Sequence, residues 1–161
     1  MHLHDPNVLS VLKYAVDFLH VQHGIFVVFP LVWYRPDQNP LSHQLCIVVV
    51  VGHTVCGGAD ASLTAVKEKR PDNQTIKDLP VESPLNIWLT PLTKFTRSLP
   101  LSVTPPGEAL SLVVRENIKK QVENLAQTDT IRDAKNKVQI HGWIYDLATG
   151  RLKDLHITQG H

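Results

Sequence analysis

Residues 46–58 read CIVVVVGHTVCGG, and the fold turns on what this run is. From Ile47 to Val51 every residue is β-branched, without polar alternation. That is the composition of a short strand buried on both faces. Gly52 is expected to end it. His53 and Cys56 come next, and CGGADASLTAVKEK, residues 56–69, has the composition of a helix starting just past the cysteine. A buried strand, a glycine turn and a helix make half of a βαβ unit, and functional groups gather at the carboxyl ends of such strands. The expected class is α/β.

Imidazole and thiolate both suit zinc, and two ligands three positions apart beyond a strand can turn towards one ion. The start of the following helix would favour a negatively charged sulfur at Cys56. By spacing alone, however, His-x-x-Cys is weak evidence, because a lone cysteine often packs as a small hydrophobe. Cys46 lies at the other end of the strand, roughly 20 Å or more away by strand rise. It can neither join the motif nor form a disulfide with Cys56 while the strand stays extended.

Outward from this run, DPNVLSVLKYAVDFLH (5–20) opens with a helix start: Asp5 as cap, Pro6 in the first turn, then Val8, Leu9, Leu12, Val16 and Leu19 at helical spacing. GIFVVFPLVWYRPDQNPLSHQL (24–45) fits neither a helix nor one clean strand and is foreign to its neighbours. RPDNQTIKDLPVE (70–82) reads as a polar loop. Ser83-Pro84 caps a helix carrying Leu85, Trp88, Leu89 and Leu92, and SLPLSVTPPGE (98–108) is a linker. Leu112, Val113, Ile118, Val122 and Leu125 mark a long helix, and VQIHGWIYDLATGRLKDLHI (138–157) closes the chain as two strands around a turn from Asp146 to Gly150.

The 161 residues suit a single domain, 1–161, and 43% apolar against 19% charged residues is an ordinary globular balance. A net charge of +1 gives no electrostatic footprint for nucleic acid or an anionic membrane. No apolar stretch has the length of a membrane span. The N-terminus lacks the pattern of a secretory leader, so a cytoplasmic protein is expected.

VVVVGHTVCGG resembles the zinc-binding strand and turn of the β-class carbonic anhydrases, which read Gly-His-x-x-Cys-Gly. NVLSVLKYAV (7–16) is similar to the helix before that strand, particularly in fungal members. SPLNIWLTPL (83–92), VVRENIKKQVENLAQTDTIRDA (113–134) and VQIHGWIYDLATGRLKDL (138–155) follow the family in the same order. The resemblance implies a mostly parallel sheet and a zinc enzyme hydrating CO2 to bicarbonate through a zinc-bound hydroxide. His53 and Cys56 would be two of the zinc ligands. Gly57 and Gly58 would form the tight turn behind them, where side chains would crowd the site. The family also implies dimers or larger assemblies.

Two departures follow. Family members take their first zinc cysteine, with an Asp-Arg pair, from a Cys-x-Asp-x-Arg segment ahead of the helix, and this sequence contains none. The expectation is a truncated chain lacking the first two family strands. In addition, residues 24–45 interrupt the passage from helix to strand, as an insertion or translated intron would. Alternatively, their strand-like first half covers the apolar edge that the lost strands leave bare, although Pro30 counts against this because proline cannot donate to a ladder.

The functional expectation is therefore a β-class carbonic anhydrase, weak or inactive as this chain alone. The main alternative is a non-catalytic family member, either pairing with an intact paralogue or without function. A thiol-based role for Cys56 is a weaker third. His2 and His4 read as ordinary terminal residues, His141 as a satisfied core histidine, and Asp60 as a first-turn acid facing the helix dipole. Arg132 and Asp133 are expected to tie the long helix to the sheet, and Lys119 and Lys120 to form a solvated face.

Overall fold

The structure is a computed structural model that describes residues 23–27, 45–134 and 137–160. The expected helix over 5–20, and His2 and His4, lie outside them. Among the described residues four strands form one sheet in the order β1-β2-β3-β4, with β1 at His23–Val27, β2 at Leu45–His53, β3 at Lys137–Asp146 and β4 at Arg151–Gly160. The helices are α1 (Gly57–Lys67), α2 (Pro84–Arg97), α3 (Ala109–Ala126) and the short α4 (Asp129–Arg132). This is an α/β fold, and its sheet is mixed.

The described residues fall into two compact units. One holds β1, β2 up to Gly52, and the chain from Ile118 onward; the other is His53–Asn117. In the first unit, Val48 to Val51 are buried, as their unbroken apolar composition requires. β2 runs through Gly52 to His53, so the glycine does not end it. β1 pairs in parallel with β2, with His23 opposite Ile47 and Val27 opposite Val51. The first residues of the atypical segment thus occupy that edge, and Pro30 lies outside the described residues.

β3 and β4 form an antiparallel hairpin whose register slips between Gly142 and Trp143. The turn is built as its sequence suggests. The Gly150 amide donates to the Asp146 carbonyl at 2.8 Å. The Asp146 carboxylate accepts from the Ala148 amide at 2.9 Å and the Thr149 hydroxyl at 2.7 Å. Gly150 sits at φ +69°, where a side chain would be strained. Val138 and Ile140 alternate into the core, and Gly142 lets the helix approach, since a Cβ there would lie 3.0 Å from Ile118 Cγ2 and 3.4 Å from Val122 Cγ2. His141 is hydrogen-bonded, its Nδ1 3.0 Å from the cross-strand Thr158 hydroxyl, but it is half-buried and not the core histidine expected, because it alternates with the inward-facing Ile140. Arg132 departs from expectation: it pairs with Asp129 one turn back in α4, so its charge is spent locally rather than on the sheet. Asp133 supplies the backbone C-cap of α4. Lys119 and Lys120 are exposed, with Lys120 paired to Glu123 at 3.5 Å.

In the second unit α1 packs against α2. Ser83 caps α2 by accepting from the Asn86 amide at 3.3 Å. The buried face of α2 differs from the apolar one expected. Asn86, Leu89, Thr93 and Thr96 turn inward, while Leu85 and Trp88 are exposed. Hydrogen bonding is the reason at Asn86 and Thr93, because a buried polar group costs little once it is paired; the Thr96 hydroxyl is buried without a partner among the described residues. Asn86 Oδ1 accepts from the Ile76 amide at 2.7 Å. Its Nδ2 faces the carbonyls of Ile76 (3.2 Å), Leu79 (3.2 Å) and Pro80 (2.9 Å). Thr93 shares its hydroxyl with Thr75 at 2.6 Å and donates to Ser62 of α1 at 3.2 Å. The polar loop 70–82 is thereby fixed onto the helices by its own backbone groups.

Candidate metal centre

β2 ends at His53, Thr54 and Val55 make the turn, and Cys56 is the N-cap of α1. The first helical hydrogen bond runs from the Asp60 amide to the Cys56 carbonyl at 2.9 Å. The Cys56 side chain makes no capping bond, and its thiol is half-buried and not in a disulfide. Asp60 is an exposed first-turn acid, as expected.

His53 is oriented by its own turn. Its Nδ1 lies 2.9 Å from the Thr54 carbonyl, which can only accept, so Nδ1 carries the proton. In the neutral ring the lone pair then belongs to Nε2, the arrangement by which a second partner presets a ligand histidine. Val55, between the two, has φ 54°, in the left-handed region that a β-branched residue rarely enters. Such a conformation persists only where its surroundings impose it.

The two glycines play a smaller part than their position suggests. Neither has a positive φ. A Cβ at Gly57 would meet nothing within 4 Å, and one at Gly58 would touch Leu89 Cδ2 at 3.4 Å. They open α1 and place no crowding constraint on the turn. Cys46 is the second residue of β2, at the far end from the motif.

Imidazole and thiol are the donor types zinc prefers, but a catalytic zinc takes three protein ligands. Among the described residues no group of three or more His, Cys, Asp or Glu side chains is placed to hold a metal ion. The described residues therefore do not by themselves fit a catalytic zinc site. Sequence reasoning singled out His53 and Cys56; the tautomer of His53 and the strain at Val55 needed the tertiary structure.

The fold and site define an α/β chain with an imidazole and a thiol at the carboxyl end of a buried strand, and comparison narrows this. The family model described as carbonic anhydrase matches residues 42–152. The chain is 26% identical over 159 residues to a carbonic anhydrase of Emericella nidulans, covering 95% of this chain and 53% of that protein. It is 32% identical over 116 residues to a carbonic anhydrase of Synechococcus elongatus, covering 69% of this chain and 39% of that one. Its fold is similar to a tetrameric β-carbonic anhydrase of Sordaria macrospora, with TM-score 0.62, 24% identity, and coverage of 97% of this chain and 63% of that one. This chain belongs to the carbonic anhydrase family, and its fold is similar to that of β-class structures. It spans about half the length of the curated relatives it matches.

Proposed function

We propose that this chain is a zinc-binding β-class carbonic anhydrase acting on CO2 and bicarbonate, with His53 and Cys56 as two of the zinc ligands and little or no activity as this chain alone. The observation that carries the proposal is the preset imidazole, with Nδ1–H held by the Thr54 carbonyl, three positions before a cysteine at a helix N-cap. The third donor must come from outside the described residues, either elsewhere in the chain or from another copy. The family match crosses both compact units, which supports one domain over 1–161. The named tetrameric relative supports a homo-oligomer. No helix among the described residues is long and apolar enough to cross a membrane, and we place the protein in the cytoplasm.

A second reading is favoured by the lack of a third donor among the described residues: a family member without catalysis that pairs with an intact paralogue or has no function. Zinc per chain, measured on folded protein after dialysis against a mild chelator, separates the two. Near one zinc per chain, together with CO2 hydration above the buffer rate, supports the enzyme. Zinc near zero refutes the proposed ligand role and leaves the non-catalytic reading.

A further inference from the structure

We draw no further inference here: the strongest candidate, the apolar face that α2 turns to water at Leu85, Ile87 and Trp88, carries nothing because nothing in the structure shows what covers it.

Discussion

Replacing Val55 with asparagine should make this protein more stable, although the change falls between its two candidate metal ligands. At φ 54° the Cβ of an L-residue crowds the following carbonyl oxygen, at a cost of about 1–2 kcal/mol. Val55 recovers little in return. Its surface is 75% exposed, and full burial of such a side chain is worth about 1.5–3 kcal/mol, so only about 0.5 kcal/mol of transfer energy is at stake. Asparagine tolerates this backbone region because its short amide can hydrogen-bond locally. The expected net gain is about 1 kcal/mol, which in a chain of 161 residues raises Tm by about 3 °C. Thermal and urea unfolding followed by circular dichroism measure this, and an unchanged m-value would show that only stability had moved. Val55→Gly should gain less, because glycine brings an entropy cost of about 0.5–1 kcal/mol. A lower Tm for Val55→Asn would refute the reasoning, since the valine side chain would then be held by a contact outweighing its strain. Repeating the melt at two protein concentrations would show whether that contact comes from another chain.

Asn86→Ala should cost about 4 kcal/mol in urea unfolding, because it removes an amide that accepts from the Ile76 N–H and faces three carbonyls, at about 1 kcal/mol for each of the three bonds its oxygen and two N–H groups can make, plus about 1 kcal/mol for the stranded Ile76 donor. A loss below about 1 kcal/mol would mean that water replaces the amide. Gly142→Ala should cost about 1–3 kcal/mol by overpacking against Ile118 and Val122, and adding Ile118→Val should recover part of it; additive losses in the double variant would contradict the close approach. Cys56→Ser should abolish zinc binding and Cys46→Ser leave it unchanged, as read by metal analysis of dialysed protein. Equal loss in both would contradict the placement of Cys46 at the far end of β2.

Where the sequence was legible, local physics sufficed. The β-branched run of Ile47–Val51 permits little but a buried strand, Ser83-Pro84 marks a helix start whatever surrounds it, and Asp146 and Gly150 specify their own turn. His53 and Cys56 were found the same way, since a strand followed directly by a helix leaves both at one strand end. The glycines misled because position next to a ligand pair suggested crowding, whereas crowding depends on what lies across from the backbone, and at Gly57 nothing does.

What the sequence by itself determined, then, was the main elements from β2 onward and the places of His53 and Cys56 between them. Tertiary structure decided which faces those elements bury. Apolar periodicity alone would turn Leu85 and Trp88 of α2 inward, but the loop carbonyls that Asn86 satisfies, and the hydroxyls of Ser62 and Thr75 that meet Thr93, come from elsewhere in the chain. It also decided what covers the edge of β2. A strand needs backbone partners on both sides, and its own residues cannot say which segment provides them; here the parallel pairing of His23–Val27 does.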